Sequence, residues 1–345
     1  MLTNALLAGV LTAALSPVLI VALRRLGTLD TPTHRSSHTM PTVRGGGLAP
    51  ALAGTGVLAL GATALGAPRL GVVVAAAGFA TVGLIEDVRG IAVTRRLALH
   101  VLAAAAALPW LAAGLTGPRG WPLVTAVLVV GWLTAYVNVV NFMDGINGIT
   151  GVQAAVVGTA WYLVGIATDV VPLAGASLIL VGVAVGFLPY NFPRARVFPG
   201  DVGSYFFGAW LGALAVVGLR GGIAPEAMLA PLGVSLADTC STLIRRVYRG
   251  EVWHQAHRQH VYQRLVQRGW SHGQVTATVG VVIAVCAGLG ALSLTASLPA
   301  RVAADAGIVA VLALYLASPW LVDRHLRRIS ELARHPAGVQ ARARG

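Results

Sequence analysis

Apolar stretches as long as a membrane-spanning helix follow one another along the chain, and polar residues collect in the short segments between them. A helix needs about 20 apolar residues to cross the hydrocarbon core of a bilayer. The pattern therefore predicts an all-α polytopic membrane protein of about ten or eleven transmembrane helices. The eleven candidate spans are residues 2–23, 48–66, 70–85, 97–115, 121–140, 149–167, 171–188, 204–219, 227–243, 275–297 and 303–321.

The composition favours a single membrane-embedded unit over a series of soluble domains. Hydrophobic residues make up 56% of the 345 residues, and charged residues only 11%. Charged residues make up about 25% of a typical soluble domain. We predict one transmembrane domain over residues 1–322, followed by a basic cytoplasmic tail over residues 323–345.

The basic residues predict how the helices are oriented. All 25 are arginines, and the formal net charge is +13. In so apolar a chain, this charge favours cytoplasmic loops at an anionic membrane surface over a nucleic-acid partner. If the loop 24–47 is cytoplasmic, all but four arginines fall on that side, so the N-terminus is predicted outside and the C-terminus inside a plasma (inner) membrane. The four exceptions are Arg69, Arg119, Arg220 and Arg301.

The acidic residues converge on the side that is predicted to be cytoplasmic. Glu86, Asp87, Asp144, Asp201 and Asp238 all lie in cytoplasmic loops or at the cytoplasmic ends of spans. A single acid at such a boundary is as readily explained by a solvated helix end. Five acids on one basic face favour a site for a divalent cation and a phosphate-bearing substrate.

Two motifs carry most of the candidate chemistry. In the first, Asn138, Asn141 and Asp144 are spaced three apart, so they share one helical face before glycines break the helix. In the second, Phe198 and Asn191 offer a ring and an amide to a nucleobase. The same motif holds Asp201 at a span start, where the alternative role is a helix cap.

Other segments predict anion binding. Arg44 precedes the glycines at 45–47, whose backbone N–H groups at a helix start are suited to hold an anion. Adjacent carboxylates at 86–87 repel each other unless a cation or protons intervene; the alternative is an exposed turn. The segment 257–272 is rich in Arg and His, and indicates either a phosphate clamp or a helix at the lipid surface.

Together these motifs resemble the polyprenyl-phosphate N-acetylhexosamine-1-phosphate transferases, which form glycosyltransferase family 4. The resemblance covers residues 1–322 and is strongest at 141–148 and 197–204. It implies transfer of a sugar phosphate from a UDP-N-acetylhexosamine to an undecaprenyl-type polyprenyl phosphate, with release of UMP. It also implies a Mg²⁺ cofactor, with Mn²⁺ as the alternative ion. The last loop, 257–265, lacks the triple-histidine signature of the peptidoglycan translocase and looks more like the branch that starts O-antigen and other surface polysaccharides.

The resemblance also implies roles for individual residues. Asp201 and Asp144 would hold the metal, and Asp87, Asp144 and Glu86 would be catalytic. Two departures weaken parts of this assignment: Glu86 stands where Asp is usual, and Asn147 replaces a common Asp. The implied substrate-binding residues are Arg44, Asn141, Asn191, Phe198, His257, Arg258, His260 and Arg264.

Two other classes of protein remain as alternatives. A secondary transporter would place ionisable residues near the middle of the membrane, whereas these spans are nearly free of charge. An inactive membrane-bound regulator would not need Asp144 and Asp201. Membrane lipids are expected as partners, and a homodimer is left open.

Overall fold

A computed structural model describes residues 1–31, 40–61, 66–113, 122–252 and 257–334. The loop 24–47, the candidate spans 48–66, 97–115 and 121–140, and the predicted tail 323–345 therefore lie partly outside the described residues. Each of the eleven predicted spans overlaps one or more helices in its described part, and the helical bundle confirms the all-α polytopic fold class. The helices are α1 (Leu2–Arg25), α2 (Leu48–Leu60), α3 (Gly66–Arg89), α4 (Val93–Leu111), α5 (Pro122–Met143), α6 (Ile149–Ala167), α7 (Val171–Asn191), α8 (Gly200–Arg220), α9 (Pro225–Leu229), α10 (Gly233–Tyr248), α11 (Val261–Gln267), α12 (His272–Ala291) and α13 (Leu298–Arg334).

Within the described ranges, nine helices are long and apolar enough to cross a membrane when α9 and α10 are taken as one interrupted span. α2 is apolar but has only 13 residues, and α4 begins with two arginines among its first four residues. α13 continues without a break from Leu298 to Arg334, so the predicted boundary between residues 322 and 323 falls inside a helix. The orientation of the bundle remains a prediction.

α8 forms the centre of the bundle. In its most apolar stretch 94% of the residues are buried, compared with 28% for α1 and 17% for α13. The outer helices instead expose large apolar side chains, which suits contact with lipid. α8 packs against α3 and α5, and Gly47 lies so close to Gly203 that a side chain at Gly47 would collide with the α8 backbone.

A small three-stranded sheet lies at one end of the bundle, and the sequence analysis did not predict it. It consists of β1 (Leu29–Asp30), β2 (Thr42–Arg44) and β3 (Val197–Phe198), in that order. β1 pairs antiparallel with β2, whereas β2 pairs parallel with β3 so that Arg44 lies beside Phe198. The sheet thus joins two predicted site residues that are far apart in sequence.

Candidate functional site

A cavity of about 270 Å³ lies at the sheet end of the bundle. Five of the residues predicted to act in the site line it, which brings together β2, β3 and the adjoining ends of α5 and α8. The lining residues are Asp30, Arg44, Asn141, Asp144, Gly145, Ile146, Asn147, Phe198, Pro199, Gly200, Asp201, Gln263 and His272.

Asp201 lies at the centre of a polar cluster in the cavity wall. One carboxylate oxygen, Oδ2, is 2.6 Å from Nη2 of Arg44. The other, Oδ1, accepts a hydrogen bond of 2.8 Å from Nδ2 of Asn141, and the same amide group donates to Oγ of Ser204 at 2.9 Å. Both oxygens of Asp201 are therefore directed toward side chains in the wall rather than toward the backbone N–H groups of its own helix, and the helix-cap alternative is wrong.

Arg44 carries the positive charge of the cluster. Its Nε lies 2.8 Å from Oδ1 of Asp87, and its side chain is 41% exposed although both of its carboxylate partners are largely buried. Burial acts to lower the pKa of the guanidinium, but Asp201 and Asp87 outweigh this and raise it above its ordinary value. Arg44 is therefore a permanent cation that faces the cavity.

Asp144 lies in the turn between α5 and α6, on the same cavity. Its Oδ1 accepts a hydrogen bond of 2.6 Å from Oγ1 of Thr150. Burial raises the pKa of the Asp144 carboxyl to about 7; the hydrogen bond from Thr150 opposes this rise, and the negative charge of Asp201 adds to it. The two acids thus repel each other across the cavity.

Asp87 performs the capping function for α8. Its Oδ1 and Oδ2 accept hydrogen bonds from the backbone N–H groups of Asp201, at 3.0 Å, and Val202, at 2.9 Å. Gly200 precedes them with φ = +72°, and a side chain at that position would collide with Oδ2 of Asp87. Asp87 is thus committed to holding the start of α8, and its predicted catalytic role remains untested.

Glu86 points away from the cavity, toward the turn between α3 and α4. Its Oε2 accepts a hydrogen bond of 2.9 Å from the N–H of Ile91, and its Oε1 lies 3.3 Å from Nη1 of Arg96. The structure therefore separates the two adjacent acids, which the sequence had treated as a pair.

Two of the three glycines after Arg44, Gly46 and Gly47, do not present free N–H groups as predicted. The N–H of Gly46 donates to the carbonyl oxygen of Phe198 at 2.9 Å, and that of Gly47 donates to Pro199 at 2.8 Å. The predicted anion-binding role therefore does not fit Gly46 and Gly47, because their N–H groups extend the pairing of β2 with β3. The glycines instead allow close approach to α8.

Asn191 is buried behind the cavity rather than on its surface. Its Oδ1 accepts a hydrogen bond of 2.8 Å from the N–H of Gly148, and its Nδ2 donates to the carbonyl oxygen of Val197 at 2.9 Å. With 2% exposure and both ends of its amide engaged, Asn191 joins α6, α7 and β3. Phe198, in contrast, does line the cavity.

The His/Arg-rich segment lies beside the cavity. Of its residues that the structure describes, none of the four predicted contacts, which are His257, Arg258, His260 and Arg264, belongs to the lining. The rings of His257 and His260 lie 4.9 Å apart. Burial, together with the charges of His260 and Arg246, lowers the pKa of His257 to about 4, so it is neutral near pH 7.

Four polar lining residues were not among the predicted site residues: Asp30, Asn147, Gln263 and His272. Asp30, in the loop 24–47, and Asn147 and His272, in the segments 141–148 and 257–272, stood in stretches that the sequence analysis considered, but none was selected as a site residue. Nothing in the sequence marks Gln263 as a site residue, because a neutral amide in an Arg-rich helix is typical of a surface position. Its place in the wall becomes visible only once α11 is seen to pack beside the α5–α6 turn, where Tyr262 donates to the carbonyl oxygen of Phe142 at 2.9 Å.

Two of the acids that line the cavity, Asp144 and Asp201, fit the way in which proteins hold Mg²⁺. Among the described residues, no three His, Cys, Asp or Glu side chains come together as a metal site. Mg²⁺ is usually held by one or two carboxylates together with water and substrate phosphates. Asp144 and Asp201 supply two carboxylates that repel each other on one cavity, and a cation between them would relieve that repulsion.

The family model and the similar proteins of known name indicate the same family. The model of glycosyl transferase family 4 matches residues 69–219, which run from α3 to the end of α8. The decaprenyl-phosphate N-acetylglucosaminephosphotransferase of Mycobacterium tuberculosis is 29% identical over 315 residues, or 79% of this chain and 77% of the relative. The similarly named protein of Mycolicibacterium smegmatis is 29% identical over 331 residues, or 84% and 81%.

A second group of relatives has a different printed activity. The phospho-N-acetylmuramoyl-pentapeptide-transferase of Symbiobacterium thermophilum is 31% identical over 314 residues, which is 78% of this chain and 87% of the relative. The match thus extends over most of both chains. The chain belongs to glycosyl transferase family 4 and is a multi-pass membrane transferase.

Proposed function

We propose that this protein transfers an N-acetylhexosamine-1-phosphate from a UDP-sugar to polyprenyl phosphate, releases UMP and so initiates a cell-surface polysaccharide. The observation that carries the proposal is the cavity itself. It combines two acids, one permanently charged arginine and an aromatic ring at the end of an apolar bundle. Such a place suits a water-soluble diphosphate that reacts with a lipid-borne phosphate.

Charge neutralisation is the main task of the site, because phosphoryl transfer depends mostly on positioning and electrostatics. Asp144 and Asp201 would hold Mg²⁺, which supplies neutralisation of the diphosphate charge. Arg44 already faces the cavity, and its planar guanidinium binds phosphate oxygens through two N–H groups. Phe198 offers its ring to the uracil, while Gln263 and His272 offer polar groups to the remainder of the donor.

The acceptor does not need a protein base. A phosphate monoester has a second pKa near 6, so the attacking oxygen of polyprenyl phosphate is largely ionised at pH 7. The geometry of Asp87 agrees with this view, because backbone N–H groups and Arg44 engage its carboxylate. The reaction is then the attack of the lipid phosphate oxygen on the sugar-bearing phosphorus, with cleavage of the bond to UMP.

The donor is proposed to be a UDP-N-acetylhexosamine rather than the muramoyl-pentapeptide nucleotide. Two observations support this choice. The segment 257–265 lacks the triple histidine of the peptidoglycan translocases, and several relatives carry N-acetylglucosamine in their printed names.

The proposed orientation places the cavity at the cytoplasmic face of the plasma membrane, where UDP-sugars are available. A cysteine introduced at Gly250, near the cavity end, should react with an impermeant reagent only after the cytoplasm is opened. A cysteine at Gly221, beyond the other end of α8, should react in intact cells. The reverse pattern would contradict the orientation.

Turnover of a donor panel tests the reaction. Purified protein is incubated with Mg²⁺, polyprenyl phosphate and each of several UDP-N-acetylhexosamines and UDP-muramoyl-pentapeptide, and the lipid product and UMP are identified by mass spectrometry. We expect a lipid-diphosphate-linked N-acetylhexosamine and equimolar UMP. Turnover only with the muramoyl donor would overturn the donor assignment, and no turnover with any donor would overturn the reaction.

Asp305→Asn provides a matched control for changes of acid to amide in the cavity. Asp305 belongs to α13 near Arg301 and is not among the lining residues of the cavity. The same chemical change there should leave turnover close to that of the unmodified protein.

A further inference from the structure

Asp238 is a fully buried acid in α10 that does not line the cavity. A buried carboxylate is costly unless hydrogen-bond donors surround it. Its partners therefore indicate what the protein gains by keeping it there.

The partners of Asp238 on other elements come from two helices, α11 and α13. Its Oδ1 accepts from the N–H of Val261 at 3.0 Å and lies 3.1 Å from Nδ1 of His260. Its Oδ2 accepts from the hydroxyl of Tyr315 on α13 at 2.9 Å and from the N–H of Tyr262 at 3.4 Å. Since a carboxylate only accepts, Nδ1 of His260 carries the proton in this contact.

Most of these donors belong to the start of α11. That helix has only seven residues, and so short a helix is not stable by itself in water. Its first N–H groups have no partners within the helix, and Asp238 supplies them from a different element. Gln263 adds to this start, because its Oε1 accepts a hydrogen bond of 3.2 Å from the N–H of His260.

α11 in turn contacts the cavity wall at two points. The hydroxyl of Tyr262 donates to the carbonyl oxygen of Phe142 at 2.9 Å and lies so close to Gly145 that a side chain there would collide with it. Gln263, the next residue, lines the cavity itself. A continuous set of contacts therefore leads from Asp238 through α11 to the wall that carries Asp144.

We infer that Asp238 is a positioning residue: by holding the start of α11, it places Tyr262 and Gln263 against the cavity wall and so shapes the binding site of the sugar-nucleotide donor. The inference rests on the proposed function, because it assigns the cavity to the donor. It requires that loss of Asp238 weakens donor binding more than it slows the transfer step.

Two measurements on Asp238→Asn test the inference. Asparagine keeps one acceptor oxygen for α11 but removes the second and the charge. We expect faster hydrogen exchange at the amides of Val261 and Tyr262, a donor KM raised about tenfold by the loss of a hydrogen bond to a charged group, and an acceptor KM and kcat within about twofold of the unmodified protein. Tyr315→Phe is the matched control, since it removes one donor to Asp238 without touching α11, and should leave that exchange unchanged.

Tyr262→Phe keeps the test decisive if Asp238→Asn does not fold. This variant retains the helix start but loses the link to Phe142, so donor KM should rise while the exchange of Val261 and Tyr262 stays as it was. Unchanged donor KM in folded Asp238→Asn, or in Tyr262→Phe, would overturn the inference. Absence of turnover in the unmodified protein would contradict the proposed function instead. Even in that case, unchanged amide exchange in folded Asp238→Asn would refute the anchoring of α11, because that measurement does not depend on activity.

Discussion

The starts of α8 and α11 are both held by a carboxylate from another helix, but the side chains around the two carboxylates differ. At each start, a carboxylate from another helix accepts two backbone N–H groups: Asp87 for α8 and Asp238 for α11. The start of α8 is charged, because Arg44 bridges Asp87 and Asp201 there. At the start of α11, Asp238 instead contacts Nδ1 of His260 and accepts a hydrogen bond from the hydroxyl of Tyr315.

This difference separates two kinds of buried acid: those that hold the start of a helix and those that face the cavity. Asp87, Asp201 and Asp238 are all acids of comparable burial at the same end of the bundle, but only Asp201 lines the cavity. An anchoring acid is expected to affect folding and activity together. A cavity acid is expected to affect activity alone, and the following variants test that distinction.

Asp201→Asn should have the largest effect on turnover. The amide keeps the size of the side chain but halves the anionic hold on a cation, so the charge that develops at the diphosphate is poorly neutralised. Loss of one such electrostatic contact costs about 10²–10³ in rate, and the melting temperature should change little because Asp87 still holds the start of α8. Turnover close to normal at limiting Mg²⁺ would show that Asp201 does not bind the metal.

Asp87→Asn should lower both stability and turnover. Its amide can accept from only one of the two N–H groups of Asp201 and Val202, and each buried group left unpaired costs about 1–3 kcal/mol. A shift of Asp201 by about 1 Å can cost up to 10²-fold in rate. Thermal melting and turnover are measured together. Normal melting with lost turnover would instead support the direct catalytic role that the sequence predicted.

Phe198→Ala should act on donor binding alone. Stacking of a base on an aromatic ring is worth about 1–3 kcal/mol, so donor KM should rise by roughly tenfold with kcat and Mg²⁺ dependence retained. The contact from Gly46 to the carbonyl oxygen of Phe198 uses the backbone and remains. Competition by UMP measures the same contact directly, and unchanged inhibition by UMP would exclude stacking on this ring.

Glu86→Gln should have the smallest effect. Glutamine can still accept from the N–H of Ile91 and loses only the ion pair with Arg96, whose two side chains are 14% and 24% exposed and whose N–O distance is long at 3.3 Å. We expect turnover within about fivefold of the unmodified protein. A loss as large as that of Asp201→Asn would restore Glu86 to the catalytic group.

The sequence predicted the parts of the fold that repeat a strong local signal. Apolar stretches locate all the long helices because each must satisfy its own backbone hydrogen bonds in lipid. The sheet escaped prediction because strands of two or three residues have no measurable periodicity, and because β3, the parallel partner of β2, follows it only some 150 residues later in the chain. Short-range patterns therefore suffice to predict the helical bundle but not the small sheet at its end.

The sequence predicted the chemistry of the candidate site and several of its residues, but not the positions of all of them. Asp144, Asp201 and Phe198 line the cavity as expected, since each stands in a distinctive motif. Asn191 has side-chain chemistry that fits a ligand equally well, but its amide is taken by Gly148 and Val197. Whether a polar side chain faces a ligand or a distant backbone group depends on tertiary contacts that no local pattern encodes.

Because the cavity lies at the end of an apolar bundle, the concentration of the lipid acceptor in a rate measurement has to be given per area of membrane and not per volume of solution. A polyprenyl acceptor stays dissolved in the membrane, so the protein samples it by lateral diffusion in two dimensions, and its effective concentration is a surface density. Adding inert lipid or detergent at constant bulk acceptor should then slow the reaction in proportion to the lowered mole fraction. The UDP-sugar, which arrives from water, should show no such surface dilution.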